Sequence, residues 1–236
     1  MLKRSVVNKT VAIAKQIFAE MGLRLPPFAF MTVDDWRNAG HEYDEIRDCC
    51  LGWDVTDFGQ ENFALYGRCL FTLRNGKKNA AYPKSYAEKF ILDPEGQRAP
   101  AHFHRSKRED IINRGTGLIV IDLASSTPDG HIDTRPLEIS IDGIRKTIPS
   151  QTKVTLKPGE SIHLEPGVIH SFWGEKGIEI DGVHYGASGE VSSVCDDFND
   201  NFFLNGAPRF PGIEEDEPRD VFLCQEYPAA SAPKME

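Results

Sequence analysis

Residues 96–115 read GQRAPAHFHRSKREDIINRG, which places two histidines and a glutamate close together. On a β-strand, His102 and His104 would point to the same face, because side chains two residues apart do so. Glu109 follows a polar bend, after which the next stretch of chain can bring a carboxylate back to the imidazoles. Much later, the turn-containing segment PGVIH ends at His170 and supplies a third imidazole on another strand.

These three imidazoles and one carboxylate are a plausible ligand set for a divalent metal. Such a set leaves part of an octahedral shell open for water or substrate, and it suits Mn²⁺, Fe²⁺, Co²⁺, Ni²⁺ or Zn²⁺ without selecting among them. A His-x-His pair alone is a weak signal, because most such pairs are ordinary surface or core residues. The glutamate, the flanking glycines and the later Gly-x-x-His together predict a metal site.

Short β-favouring runs separated by turn residues surround this segment. The runs predicted as strands are Phe63–Tyr66, Cys69–Leu73, Gly117–Leu123, Leu137–Ile141, Ile144–Ile148, Thr152–Leu156, Ser161–Leu164, Val168–Trp173 and Ile178–Val183. Asp142 and Gly143 lie between two of these runs and predict a tight hairpin turn. Because no helical pattern separates the runs, the sequence predicts an all-β fold, either a barrel or a sandwich.

Two helices are predicted before the strands. Residues 5–21 place their apolar side chains on one helix face, and Gly22 is suited to end that helix. Thr32 followed by acidic residues predicts the start of a second helix that runs to about Cys49. Both helices are expected to be structural, or part of a subunit interface, and not catalytic.

The chain of 236 residues suits a single β-barrel domain. We expect residues 1–55 to form a helical segment packed on a barrel of residues 56–228, as one domain overall. The acidic tail after Gly189 is rich in turn residues, and we expect it to consist largely of loops.

The composition argues against several partners and compartments. The net charge is −9, and an acidic surface repels phosphate backbones, so we expect no nucleic-acid partner. No apolar run reaches the roughly 18–20 residues of a bilayer span, so we expect no membrane partner. Lys9 and Lys15 interrupt the apolar N-terminal stretch, which argues against a signal peptide and favours the cytoplasm. The five cysteines lack C-x-x-C spacing and predict neither a disulfide framework nor a zinc ribbon.

The opening segment resembles the first motif of the cupin superfamily, G-x5-H-x-H-x3–4-E-x6-G, with one residue fewer before the last glycine. The matching residues are Gly96, His102, His104, Glu109 and Gly115. Gly167 and His170 match the second motif, although the proline is shifted by one position and Gly174 stands where asparagine is usual. The resemblance implies a double-stranded β-helix barrel with the metal in its mouth. The long gap between the motifs implies an inserted hairpin around residues 125–146.

A more specific resemblance covers nearly the whole chain and points to the D-lyxose isomerase family of cupins. Its segments are HFH with KREDIINRG (residues 102–115), LPPF (25–28), GEVS (189–192), DDFNDN (196–201) and RFP (209–211) before EED (214–216). The resemblance implies isomerisation of D-lyxose and D-xylulose, often with D-mannose and D-fructose. It also implies Mn²⁺ as the usual activating metal, a monosaccharide substrate and a homodimer.

That reaction suggests roles for four further residues. Moving a proton between C2 and C1 of a sugar requires a general base and a group that stabilises the developing oxyanion. Glu190, in a glycine-flanked segment, is the candidate base, and Lys107, two residues before Glu109, is the candidate oxyanion stabiliser. Asp196 and Arg209 are candidate hydroxyl-binding residues, because they lie in segments that resemble the family.

Two other functions remain open for the same ligand set. A cupin dioxygenase would use Fe²⁺ or Ni²⁺ with O₂ and would need an apolar pocket, which the charged residues around the ligands argue against. A non-catalytic sugar-binding cupin would bind metal and sugar without turnover. Anaerobic incubation with a panel of sugars separates these functions from isomerisation.

Overall fold

The computed structural model describes residues 1–77 and 81–231. Its helices are α1 (Arg4–Glu20), α2 (Val33–Asn38) and α3 (Asp44–Asp48), with single 3-10 turns at Pro27–Phe30 and His41–Tyr43. The first helix confirms the prediction for residues 5–21. Its buried apolar residues are Val7, Val11, Ala14, Ile17 and Phe18. The helix ends where the backbone of Gly22 turns into the left-handed region, at φ +74°.

The prediction of one helix from Thr32 to Cys49 is wrong, because two short helices occupy this stretch. Thr32 begins α2 as expected, since its hydroxyl oxygen accepts a hydrogen bond from the Asp35 backbone amide and the Asp35 carboxylate accepts one from the Thr32 backbone amide. Gly40 is extended, with ψ −162°, and this breaks the helix before α3. A glycine in this position lowers the helical preference at the break.

The described chain also contains a series of strands. In chain order they are β1 (Leu2–Lys3), β2 (Gly52–Thr56), β3 (Arg68–Arg74), β4 (Tyr86–Pro94), β5 (His102–His104), β6 (Glu109–Asn113), β7 (Leu118–Ser126), β8 (Ile132–Asp133), β9 (Leu137–Ile141), β10 (Ile144–Ile148), β11 (Thr152–Leu156), β12 (Ser161–Leu164), β13 (Ile169–Glu175), β14 (Ile178–Ile180), β15 (Val183–Ser193), β16 (Asn201–Phe203) and β17 (Ile213–Glu214).

Two curled sheets form the body of the fold, which confirms the all-β cupin barrel with N-terminal helices. One sheet has the order β10-β9-β12-β6-β15-β4-β3-β2, with β14 beside β15. The other has the order β11-β7-β13-β5-β16, with β8 beside β7. A core cluster draws on both sheets, for example Leu70 and Ile111 from the first with Ile121 and Phe172 from the second. Burial of such side chains contributes about 1.5–3 kcal/mol each.

Several strand predictions are confirmed and others need correction. The β9–β10 hairpin turns at Asp142 and Gly143, both with positive φ, as predicted. Residues Phe63–Tyr66 form a turn instead of a strand, in which the Leu65 and Tyr66 amides donate to the Asn62 carbonyl. The predicted strand Ile178–Val183 is interrupted by a turn at Asp181 and Gly182, both with positive φ, so that β15 begins at Val183 and continues past Gly189, where loops were expected. The sequence reasoning also missed β2 and β4.

Helix α1 packs against β2, β3 and β15, so the helical segment and the barrel share a core cluster. We therefore propose a single domain, with residues 1–55 packed on residues 56–228, although β2 of the first segment already belongs to a sheet. None of the helices in the described ranges is both long enough and apolar enough to cross a membrane.

Candidate metal centre and active site

Two neighbouring strands bring three histidines together at the centre of the barrel. His102 and His104 lie on β5, and His170 lies on β13 directly opposite His102 in the ladder. All three side chains are buried, and one ring nitrogen from each lies within 4.8 Å of the others. The predicted same-face placement of His102 and His104 is therefore present in the structure.

Backbone carbonyls orient two of these rings. His102 Nδ1 lies 2.9 Å from the Pro100 carbonyl, and His170 Nδ1 lies 3.0 Å from the Val168 carbonyl. Because a carbonyl can only accept, each Nδ1 carries the proton and donates it. The Nε2 lone pairs of both rings are then free to bind a metal, in the arrangement typical of histidine ligands.

Glu109, the first residue of β6, directs its carboxylate toward the three histidines. Its Oε1 lies 2.9 Å from His170 Nε2 and 3.4 Å from His104 Nε2, yet it accepts no hydrogen bond within the described residues. A carboxylate oxygen and an imidazole lone pair repel each other at this distance unless a cation is shared between them. The four residues therefore fit a divalent cation with mixed nitrogen and oxygen ligands.

The protonation states of the cluster suit metal binding at neutral pH. Burial lowers the pKa of His102 well below its usual value, and the other two imidazoles lower it further. Burial and then Lys107 lower the pKa of His104. Burial acts to raise the pKa of Glu109, but Lys107 and the neighbouring imidazoles outweigh it, so that pKa lies well below the usual value. Neutral imidazoles and an ionised carboxylate are the forms that bind metals.

Lys107 is buried in this cavity, not exposed to solvent as most lysines are. Its Nζ lies 2.6 Å from Glu109 Oε2 and donates to Glu190 Oε1 at 2.9 Å. The two carboxylates raise the pKa of Lys107 although burial acts to lower it, so the ammonium is charged. The Lys107 backbone amide donates to Asp200 at 2.9 Å, which holds the bend between β5 and β6 in place.

Glu190 lies on β15, and three donors surround its buried carboxylate. Oε1 accepts from Lys107 and, at 3.0 Å, from the Ser192 hydroxyl. Oε2 accepts from Lys89 at 3.3 Å, and Lys89 Nζ also contacts Cys195 Sγ at 3.0 Å. Burial acts to raise the pKa of Glu190, but the two lysines lower it, so the carboxylate is ionised and able to accept a proton.

The structure distinguishes between the two candidate hydroxyl-binding residues. Arg209 lines the cavity, as expected. Asp196 is not among the residues that line this cavity: its carboxylate accepts from the backbone and side-chain amides of Asn199. The neighbouring Asp197 lines the cavity instead and lies 3.5 Å from Arg209. Residues 197–199 form a turn, in which the Asn199 and Asp200 amides donate to the Asp196 carbonyl, and the DDFNDN run alone could not show which carboxylate this turn places in the cavity.

Sequence reasoning missed several residues of the cavity wall. They are Phe58, Arg68, Leu70, Lys89, Ile91, Ala99, Asp197, Asn201 and Phe203. Arg68 donates to Asp93 at 3.0 Å and lies 4.2 Å from the ring of Phe172. Lys89 lies inside β4, and a charged residue in a strand could have indicated the cavity only if β4 had been predicted, which it was not.

A β-barrel with a buried three-histidine cluster beside a lysine and two glutamates defines a cupin-like protein with a candidate metal site. Solved structures share this fold. L-ribose isomerase of Cellulomonas parahominis with L-ribose matches with a TM-score of 0.56 at 13% identity, over 87% of this chain and 94% of that one. L-ribose isomerase of Geodermatophilus obscurus matches with a TM-score of 0.55 at 14% identity, over 87% of this chain and 94% of that one.

Sequence comparison establishes the family. The family model described as D-lyxose isomerase matches residues 2–227. A D-lyxose/D-mannose isomerase of Serratia proteamaculans is 44% identical over 96% of this chain and 98% of its own length. A D-lyxose/D-mannose isomerase of Escherichia coli O157:H7 is 43% identical over 96% of this chain and 98% of its own length. The chain belongs to the D-lyxose isomerase family, a family of sugar isomerases, which confirms the resemblance.

Proposed function

We propose that this chain is a metal-dependent aldose–ketose isomerase that interconverts D-lyxose and D-xylulose, and D-mannose and D-fructose. The observation that carries the proposal is the bridge formed by Lys107 between Glu109, a candidate metal ligand, and Glu190, a buried carboxylate without a metal-binding role. This bridge puts a cation and an ionised base at one edge of the histidine cluster. The names of the 43–44% identical relatives support the choice of sugars.

We propose His102, His104, Glu109 and His170 as the ligands of a divalent metal, with Mn²⁺ as the native ion. When bound, such an ion supplies polarisation of the sugar carbonyl and its neighbouring hydroxyl, which acidifies C2. The residues suit Zn²⁺, Co²⁺, Fe²⁺ and Ni²⁺ as well. The choice of Mn²⁺ follows the family resemblance.

The chain's own residues supply the proton transfer. We assign Glu190 as the base that takes the proton from C2 of the open-chain aldose and returns it to C1. Lys107 donates to Glu190 Oε1 and holds a positive charge beside the oxygens on which negative charge develops. Within residues 1–77 and 81–231, Glu190 Oε2 accepts from Lys89 alone, at 3.3 Å, so it is the oxygen more available to receive the proton. Closely packed buried walls around these groups limit access of water.

Anaerobic incubation of the metal-loaded protein with aldoses and ketoses tests the reaction. We expect D-lyxose and D-xylulose to interconvert without oxygen, and D-mannose and D-fructose likewise. A requirement for O₂ would favour the dioxygenase alternative, and binding without turnover of any sugar would favour the non-catalytic alternative. Four charged pairs in the cavity wall argue against the apolar pocket that a dioxygenase of apolar substrates would need.

The base assignment has its own test. Glu190→Gln removes the charge and keeps the shape, so we expect kcat to fall about 10²–10⁴-fold while metal content is retained. Glu165→Gln, which alters an exposed carboxylate paired with Arg108, is the matched control and should leave kcat unchanged. In deuterated water the normal protein should place deuterium in the product. Near-normal turnover of Glu190→Gln would assign the base elsewhere.

We also propose that the protein acts as a homodimer in the cytoplasm on monosaccharides, without nucleic-acid or membrane partners. The proposal rests on the family resemblance and on the charge of −9. Light scattering of the purified chain tests the dimer, and a mass equal to one chain would contradict it.

A further inference from the structure

The candidate metal ligands come from both sheets of the barrel. His102, His104 and His170 lie on β5 and β13 of the second sheet, whereas Glu109 lies on β6 of the first. The two sets meet where Glu109 Oε1 lies 2.9 Å from His170 Nε2. A shift of one sheet against the other would therefore move the carboxylate away from the imidazoles and leave the three imidazoles together.

Alternate residues of β13 lead from the metal site to a place where the two sheets are in contact. His170, Phe172 and Gly174 share one strand face because they are two residues apart. Gly174 forms a bridge with Glu95, the residue after β4, and a Cβ atom at Gly174 would lie 2.2 Å from the Asp93 carbonyl oxygen. The glycine that stands where the cupin motif usually has asparagine therefore lets β13 approach the first sheet this closely.

Arg68 joins the two sheets at Phe172, between this contact and the metal site. It lies on β3 of the first sheet, its side chain is only 7% exposed, and it lines the cavity. Its Nη1 donates to Asp93 of β4 at 3.0 Å, and its Nη2 donates to the Phe172 carbonyl of β13 at 3.3 Å. Its guanidinium carbon lies 4.2 Å from the centre of the Phe172 ring. One side chain thus contacts two strands of the first sheet and one of the second.

The chemistry of arginine suits this position. A guanidinium can make the three contacts at once, because its planar fork donates in fixed directions and its face stacks on an aromatic ring. A lysine ammonium would keep the charge opposite Asp93 but has no such plane. Backbone ladders connect Asp93 to the carboxylate ligand, since β4 pairs with β15, and β15 pairs with β6 where Ser192 is opposite Glu109.

We propose that Arg68 is a positioning residue that fixes β13 against the first sheet and so keeps Glu109 beside His170. The inference rests on the proposed function for the set of metal ligands. Loss of Arg68 should loosen the alignment of Glu109 but leave the imidazoles together, because His170 and His102 are opposite each other within one sheet. Mn²⁺ favours carboxylate oxygen, whereas imidazole suits Ni²⁺, so this loss should weaken the binding of Mn²⁺ more than that of Ni²⁺.

Calorimetric titration of the metal-free protein with Mn²⁺ and with Ni²⁺ tests the proposal without any turnover. In Arg68→Lys we expect the ratio of the Mn²⁺ dissociation constant to the Ni²⁺ dissociation constant to rise about tenfold or more, as when a group that orients a metal ligand is lost. Arg98→Lys is the matched control. The Arg98 guanidinium lies 3.9 Å from the ring of Trp173, the next residue of β13, and Arg98 is not among the described residues that line the cavity. The control should leave the ratio unchanged.

A second variant combines Arg68→Met with Asp93→Asn, so that no unpaired charge is buried if the lysine variant fails to fold. It should raise the same ratio. Equal weakening of the two metals, which a general loosening of the fold would give, or a ratio equal to that of Arg98→Lys would overturn the proposal.

Failure of the proposed function gives a different result. A chain that turns over no sugar can still show the Arg68-dependent preference between the two metals. An unsubstituted chain that binds neither metal would overturn the ligand set, and this inference with it, before any variant is compared.

Discussion

Replacing Lys107 by methionine should reduce both stability and turnover, because the lysine is the shared counter-charge of two buried carboxylates. Its Nζ lies 2.6 Å from Glu109 and 2.9 Å from Glu190, and its side chain is 3% exposed. Removing one member of a buried ion pair leaves an uncompensated charge, which destabilises by about 3–5 kcal/mol. Losing a group that stabilises a developing oxyanion lowers kcat by about 10²–10³-fold.

Urea unfolding of the metal-free protein measures the first effect, and kcat of the metal-loaded protein measures the second. Lys84→Met is the matched control, because Lys84 pairs with Glu45 where both side chains are more than a third exposed. That surface pair should contribute less than about 1 kcal/mol to the free energy of unfolding, and its loss should leave kcat unchanged. If the Lys107 variant were as stable and as active as the Lys84 variant, the buried bridge would have neither of the roles assigned to it.

Two further predictions follow from the metal site. Single alanine substitutions of the ligands should each abolish bound metal and activity while leaving the far-ultraviolet spectrum unchanged, because the core lies on other strand faces; full metal occupancy in two or more of them would contradict the assignment. The substitutions are His102→Ala, His104→Ala, Glu109→Ala and His170→Ala. Acid should destabilise the metal-free protein, because burial lowers the pKa of His102 and of His104 and the unfolded chain therefore binds protons first. The free energy of unfolding should be highest above about pH 6.5, where both imidazoles are neutral in the folded and the unfolded chain. Below that pH it should fall by at most about 1.4 kcal/mol per pH unit for each imidazole. Urea unfolding between about pH 5 and 7.5 checks this, and a flat profile would refute it.

Local sequence patterns predicted one helix of the N-terminal segment correctly and failed where distant parts of the chain decide the structure. Helix α1 was predicted almost to the residue, because its apolar spacing and Gly22 act within a few residues of one another. The second predicted helix was wrong beyond Asn38, because Gly40 interrupts a stretch whose composition still favours helix. Strand β15 was missed apart from its first residue, Val183, since its place in the sheet depends on pairing with β4 and β6, which are distant in sequence.

The amino-acid sequence by itself determined the candidate metal ligands and the family. His102 and His104 share a face because of strand geometry alone, and Glu109 and His170 follow in spacings that the cupin motifs record. Tertiary structure alone decided the pairing of Lys89 with Glu190, which are 101 positions apart, and the presence of Asp197 instead of Asp196 in the cavity. For Lys89 and Glu190 the physical reason is register: they are directly opposite each other in the β4–β15 pair, a shift of one residue would turn either side chain to the other face, and only pairing between distant strands sets this register. For Asp197 the reason is its place in the turn of residues 197–199, which packing against the rest of the cavity wall positions.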